Sequence, residues 1–390
     1  LNIAKYIQMS NFQSRFNYVG ISISSNIELY GVGIAENCVI NALEINSYID
    51  QYCIDVMNAN NFMWWNVENL FDIVNSPRRT EKLERTLRNE LKGWTQDILD
   101  LKINQLSKII SKINQSQGPD IVGVCEIENS HVLELLVSKV QQQLPSRNYK
   151  IVHADTRDKR GIDVAFIYDK SKFEVEKDTG SGADFVFSHF IMKRKATRDI
   201  LQVNFKTKST GKRLVLIGNH WPSRSGGQYE SEPYRVVAGE TLGYFHERIL
   251  DVNENDDSHN TAILAMGDFN DEPFSRSITD YALSTGSLLK VKLAQNPRFY
   301  NLMWSLMTNS VGSFYFNNTP NLLDQFMISK GIVAKKDFQV KNNSTEIIRF
   351  PEMVQGKYEV PLKFGRPSEK LNKKGFSDHF PIAVTLEENS

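Results

Sequence analysis

The chain reads as an α/β protein in which sheets are covered by helices. Three observations point there. Through the first half, short apolar runs alternate with amphipathic stretches of helical period. Later, strand-like runs dominate. Several of these runs begin or end on Asp, Glu, Asn or His, so polar groups would gather at strand ends and in the loops beyond them, where sites usually lie.

The bulk numbers set the frame. The 390 residues allow one large domain or two ordinary ones. Hydrophobic residues at 41% and charged residues at 24% fit a globular chain with a sizeable core. Lys plus Arg equals Asp plus Glu, 46 each, which excludes a wholly electrostatic grip on nucleic acid and leaves room for a local basic patch. Cys38, Cys53 and Cys125 are too few and too far apart for a disulfide framework or zinc site, and Cys125 sits in an apolar run as a small core residue. No stretch reaches the ~18 apolar residues of a membrane helix, and no basic-then-apolar leader opens the chain. A cytoplasmic monomer is the default expectation.

Residues 1–60 carry no period and no motif. The chain begins with Leu1, and Met57 lies just before the first convincing strand. The stretch is expected to be an upstream extension or translated flanking segment, set apart from a domain over 61–390; a small appended domain is the alternative. Residues 62–71 then read as a strand running into a polar turn. Apolar residues at Leu87, Leu91, Trp94, Ile98, Leu101, Ile109 and Ile113 predict a helix over 81–115, kinked at Gly93 and stopped by Gly118-Pro119. Residues 120–129 form a buried strand ending on carboxylates, followed by a helix over 132–143. Strands follow at 149–153 and at 161–168, where Asp163 is the odd polar residue. Residues 200–206 and 214–219 make a strand pair, and the second runs into His220-Trp221-Pro222. A helix over 233–250 starts at Pro233. The central strand at 262–267, a short helix over 275–285, and strands at 321–328 and 380–386 complete the chain.

The chemistry centres on the run from Ile263 to Pro273. Gly267 ends a buried strand, and Asp268 and Asn270 follow two apart, a carboxylate and a carboxamide suited to a hydrated cation and a phosphate oxygen. Glu126 ends another apolar strand, either as a solvated strand end or as a ligand for a hard cation such as Mg²⁺. Asn66 is a turn residue or a helper at the metal or phosphate. His220 is structural or a second proton-handling group. Asp378-His379 is a sharper signal, because an imidazole beside a carboxylate suits proton transfer or donation to developing charge. Asp163 and Asp324 interrupt apolar strands. A buried Asp needs a partner; a histidine N–H would serve and would keep the ring charged to higher pH, and a backbone turn is the alternative. There is no Gly-x-Ser-x-Gly elbow and no Walker loop.

The segments Trp65-Asn66-Val67-Glu68-Asn69, Val124-Cys125-Glu126, Gly218-Asn219-His220-Trp221-Pro222, Gly267-Asp268-Phe269-Asn270-Asp271, Leu323-Asp324-Gln325-Phe326 and Ser377-Asp378-His379-Phe380-Pro381 follow one another in the order found in the endonuclease/exonuclease/phosphatase family, and residues 62–388 resemble it. The resemblance implies a four-layered α/β sandwich, two mixed β-sheets packed face to face with helices outside, as in deoxyribonuclease I. It implies hydrolysis of a phosphodiester with Mg²⁺ or Mn²⁺ as cofactor. Glu126 would be the principal metal ligand, with Asn66 and Asp378 beside the metal. Asp268 would move the proton of the attacking water and Asn270 orient the phosphate. His379 would stabilise the phosphoryl transition state, oriented by Asp324; His220 would be the second histidine, with Asp163 as its carboxylate.

The substrate is less legible. The segment bearing Lys357, Lys363, Arg366, Lys370, Lys373 and Lys374 runs into Asp378-His379 and is expected to border the pocket, as a grip for phosphate or as a solvated loop. Arg160, Arg224 and Arg235 stand near motif positions and are candidates to meet phosphate. Trp64, Trp65 and Trp221 read as packing residues rather than base-stacking platforms. Nucleic acid is the leading substrate; a small phosphodiester, a lipid headgroup or an inositol phosphate is the alternative. A binding module that has lost catalysis is the non-enzyme reading, and the full set of site residues weighs against it.

Overall fold

The computed structural model describes residues 59–251 and 260–389. The reading of residues 1–58 as an extension falls outside the described residues. The first strand already begins at Ala59, inside the stretch set apart from the sequence.

Nine main strands build two mixed sheets. They are β1 (Ala59–Leu70), β2 (Ile121–Ile127), β3 (Tyr149–His153), β4 (Asp163–Asp169), β5 (Ile200–Thr207), β6 (Arg213–His220), β7 (Ile263–Asp268), β8 (Asp324–Ile328) and β9 (Ile382–Glu388). The first sheet runs β9-β1-β2-β4-β3, with β1 and β2 parallel and the other neighbours antiparallel. The second runs β8-β7-β6-β5, with β6 and β7 parallel. Short strands extend both edges.

Side-chain alternation along each strand explains the layering. Phe62, Trp64, Cys125 and Phe166 of the first sheet meet Leu214, Leu216, Leu264, Met266 and Phe326 of the second in one buried cluster. The alternate residues Met63, Trp65, Val122 and Val124 face outward onto helices α1 (Gln96–Ser116) and α2 (Ser130–Gln143). On the far side, Val215, Ile217, Ile263 and Ala265 pack under α3 (Gln228–Asp251). The result is helix, sheet, sheet, helix, the expected sandwich. Each large side chain so buried contributes ~1.5–3 kcal/mol. The sheets approach too closely for side chains at two points. A Cβ on Gly123 would lie 2.6 Å from Trp64 and 2.9 Å from Met266, and one on Gly218 would lie 2.6 Å from Val164.

Element limits differ from the sequence reading in instructive places. The helix expected over 81–115 is two, Glu81–Leu87 and α1, because the chain turns at Gly93 (φ 83°) to bury Trp94. Trp94 joins Phe71, Leu87, Leu91 and Phe364, and its indole donates to the Phe71 carbonyl at 3.0 Å. Helix α3 starts at Gln228, so Pro233 lies inside it rather than at its start, and as the sixth residue it removes the hydrogen bond that the exposed Tyr229 carbonyl would accept. Within residues 275–285 the short helix is a π-helix, Ser277–Tyr281, and an edge strand, Ser284–Thr285, follows it. Among the described residues no helix is long and apolar enough to cross a membrane.

Candidate active site

The central strands of both sheets end together. In register, His220 of β6 stands beside Asp268 of β7, which stands beside Asp324 of β8. In the first sheet Asn66 pairs with Cys125, and the ladder then breaks on both strands at Glu68, Asn69 and Glu126. These three residues adopt left-handed backbone (φ 55°, 57° and 67°), which a non-glycine residue holds only when its surroundings impose it. The bulge brings the backbone N–H of Asn69 to one oxygen of Glu126 (2.8 Å); the other, Oε1, lies 3.8 Å from His220 Nε2 and 3.9 Å from Arg160 Nη2.

Asp268 lies at the centre. Its Oδ1 accepts from the Asn270 backbone at 2.9 Å, and its Oδ2 accepts from Asn66 Nδ2 at 3.1 Å. The same Oδ2 has two imidazoles near it, His220 Nε2 at 3.7 Å and His379 Nε2 at 3.9 Å. Burial first, and Asp324 with it, pushes the Asp268 carboxyl up to about 6, against the pull of His379. His379 donates from Nδ1 to Asp324 at 2.7 Å, and Asp324 is itself fixed by the Trp64 indole at 3.1 Å. Burial works against a charged ring there, yet Asp324, Asp268 and Asp378 outweigh it and raise His379 well above its ordinary value. His220 goes the other way. Burial, then Arg198, Arg160 and His379, lower it well below the ordinary value, and among the described residues its Nδ1 has no hydrogen-bond partner.

Not every expected contact is made. Asp163 does not hold His220: it accepts from Thr156 N and Oγ1 (3.0 and 2.6 Å) and lies 3.3 Å from His153 Nε2. His153, on β3, is a diagonal neighbour of Asp163 across the β3–β4 ladder, whereas His220 belongs to the other sheet. Arg224 is spent on the Asn270 carbonyl (2.8 Å) and Asn321 (3.1 Å), and buried Arg235 on Asp271 (2.8 Å) and Ser231 (2.7 Å). Both brace the loop after Asp268 instead of facing phosphate. Asn270 likewise donates its carboxamide to the Trp221 carbonyl at 3.1 Å. Arg160 alone of the three arginines stays half-exposed at the mouth, beside Glu126. The tryptophans pack as expected, but two also position the site: Trp64 on Asp324, and Trp65, whose indole donates to the His379 carbonyl at 2.9 Å.

Two residues went unread in the sequence. Glu68 accepts from Phe364 N (2.8 Å) and Gly365 N (3.1 Å), and fully buried Lys102 of α1 donates to the Phe376 carbonyl at 2.7 Å, with its Nζ 3.8 Å from Glu68. Together they pin the segment before Asp378 to β1 and α1, so the basic loop does border the site. Within it, Arg366 is tied to Glu90 at 2.8 Å, and Lys363 is close enough to draw on Asp378. Lys102 falls between Leu99 and Leu106 on the inward stripe of its helix, the signal that could have found it.

The donor set suits a hard divalent cation. Among the described residues, none donates a hydrogen bond to Glu126 Oε1 or to the half-buried Asp378 carboxylate. Burial, with Glu126 nearby, raises Asp378 despite His379; burial and Asp378 raise Glu68 to about 7. Carboxylate oxygens crowded in this way are relieved by a cation, and oxygen ligands match Mg²⁺ or Mn²⁺. His153, Asp155 and Asp163 also bring ligand atoms within 4.8 Å of one another, but Asp163 there is already filled by protein donors.

Residues 61–388 match the Endonuclease/Exonuclease/phosphatase family, and the chain belongs to it. It is a phosphoesterase of a family that uses divalent metals. No curated protein matches the sequence. Among solved structures it is similar to an endonuclease/exonuclease/phosphatase family protein from Bacteroides thetaiotaomicron (15% identity, TM-score 0.49, covering 85% of this chain and 98% of that one). It is also similar to a mannosyl-6-phosphatase of Bacteroides thetaiotaomicron VPI-5482 (15%, 0.49, 84% and 99%) and to the human Nocturnin catalytic domain with bound sulfate (14%, 0.47, 85% and 95%).

Proposed function

We propose that the protein hydrolyses phosphodiester bonds in nucleic acid with Mg²⁺ or Mn²⁺ as cofactor. The observation that carries this is the meeting of one raised carboxyl, Asp268, with two imidazoles of opposite protonation, beside the uncommitted oxygens of Glu126 and Asp378.

Hydrolysis joins a water oxygen to phosphorus and breaks the bond to the leaving alkoxide. Asp268, ionised above about 6, is placed to take the water proton. His379, charged and locked by Asp324, directs an Nε2–H toward the same space and donates to a phosphoryl oxygen as charge builds. Neutral His220 offers a second, uncharged contact. Asn66 and Asn270 hold Asp268 through its two oxygens and so fix the direction of its free lone pairs. A divalent cation bound at Glu126 and Asp378 would supply charge stabilisation for the nonbridging oxygens.

The test is a panel of substrates: DNA, RNA, sphingomyelin and inositol phosphates, each with Mg²⁺ or Mn²⁺ and with chelator. Chelator-sensitive cleavage of DNA or RNA is expected. Turnover confined to sphingomyelin or an inositol phosphate would replace the nucleic-acid reading, and turnover that survives chelator would remove the metal from it.

A further inference from the structure

We infer that a second surface, formed by residues 187–195 and the adjoining start of α3, binds single-stranded polynucleotide and guides it to the catalytic centre. The inference rests on the nucleic-acid reading above.

The chain is neutral overall, 46 cations against 46 anions, but its charge is not spread evenly. Lys193, Arg194 and Lys195 follow one another on one loop, and Arg157, Lys159 and Arg160 lie on another. Arg198 joins the two loops through Asp158 at 3.5 Å. Burial, and then Arg198, Lys195 and Lys159, push the Lys193 ammonium down, as expected where cations crowd. Among the described residues, Lys159, Arg194 and Lys195 form no ion pair.

Apolar groups stand among these charges. Phe190 is 45% exposed, Met192 80% and Tyr234 41%, and Lys193 Nζ lies 4.5 Å over the Tyr234 ring, fixing the loop against α3. Exposed rings beside unpaired cations are what a single strand needs: phosphates meet the cations while bases stack on the rings. A duplex hides its base faces and would gain nothing from Phe190 or Tyr234.

The surface also leads to the reaction. Arg198 donates to the Trp221 carbonyl at 2.6 Å, the same oxygen that receives Asn270, and Arg160 reaches within 3.9 Å of Glu126. Arg160 and Arg198 thus link the two basic loops to the edge of the catalytic site, through Glu126 and the Trp221 carbonyl. An anionic bilayer would need no such continuity with the pocket.

The experiment measures binding by the full chain, in chelator so that no turnover intervenes. The probes are a fluorescein-labelled oligothymidylate, a duplex of equal length, and phosphatidylserine vesicles. The single strand is expected to bind several-fold tighter than the duplex. Arg194→Glu with Lys195→Glu should weaken it about ten-fold or more and flatten the dependence of log affinity on log salt by about 1.4, two phosphates' worth. Phe190→Ala with Tyr234→Ala should weaken it about five-fold or more with the salt slope unchanged; a diffuse electrostatic attraction would not register that pair. Unchanged melting temperatures exclude unfolding as the cause. Equal affinity in all variants, a preference for duplex, or binding to vesicles alone would overturn the inference. If nucleic acid is cleaved but these variants bind like the parent, this surface fails and the nuclease reading stands. If the strand binds as described and is never cleaved, the surface stands and that reading fails.

Discussion

The surroundings of His379 and His220 differ in one respect that decides their chemistry. Both rings are buried, and both bring Nε2 to within 4 Å of one oxygen of Asp268, at 3.9 and 3.7 Å. Behind His379 stands Asp324, bonded at 2.7 Å and steadied by Trp64; behind His220, none of the described residues bonds Nδ1. Asp324, Asp268 and Asp378 move His379 up, whereas His220, although 3.8 Å from Glu126 and 3.7 Å from Asp268, is moved down by burial and then by Arg198, Arg160 and His379 itself. Equal burial thus yields one charged imidazole and one neutral one. Environments that push a pair of titratable groups apart assign their roles, donor of charge here and uncharged contact there.

The sharpest way to break the comparison is to remove the charged ring. His379→Ala should lower kcat on the order of a hundred- to a thousand-fold, the cost of one donor to a developing oxyanion. Manganese affinity measured by calorimetry should change little, because the ring is not among the proposed ligands. A variant within a few-fold of the parent would mean that the charge at His379 does no chemistry. Asp324→Asn should come next, at about ten- to a hundred-fold, because it leaves the ring in place and removes only what holds and charges it. In that variant the His379 midpoint, followed by NMR, should fall toward the ordinary histidine value. The sign follows from linkage: a raised histidine contributes stability below its unfolded value near 6.5 that is lost as pH rises through the folded value. An unmoved midpoint would transfer the effect to Asp268 and Asp378.

A pH profile separates the two rings without mutation. Since burial pushes the Asp268 carboxyl up to about 6, kcat should climb about ten-fold per unit on the acid side and then level off. The plateau should persist while His379 keeps its proton. His220, already neutral, should add no limb between these. A second acid limb that disappears in His220→Gln would show that this ring carries charge after all.

Much of this site was legible because its residues break a period. Asp268, Glu126 and His379 each follow or precede an apolar run, so the apolar pattern alone places them at strand ends. Partnerships were less legible. A buried Asp163 announces that it needs a donor, but not that the donor lies on the neighbouring strand, at His153, instead of on the facing sheet. An arginine near a motif looks the same whether its guanidinium stays half-exposed beside the site, as at Arg160, or is consumed by the fold, as at Arg224 and Arg235. The place of Lys102 on the inward stripe of its helix marks it for burial, but only the fold shows that Glu68 is its partner. The break at Gly93 had a visible cause in the glycine, but its extent was set by where Trp94 had to go.

Asp163 gives the mildest and most discriminating prediction. If His220 owes its neutrality to burial and to nearby cations, Asp163→Asn should leave it neutral, because that carboxylate bonds Thr156 and His153. Turnover should then fall less than about ten-fold, through loosening of the loop that carries Arg160, since the Thr156 N–H and hydroxyl would lose a charged acceptor for a neutral one. In an NMR series His220 should stay lowered as in the parent. A loss as deep as that of Asp324→Asn, with the shift appearing at His220, would make the two histidine sites alike: each would then depend on a carboxylate, and the asymmetry between them would vanish.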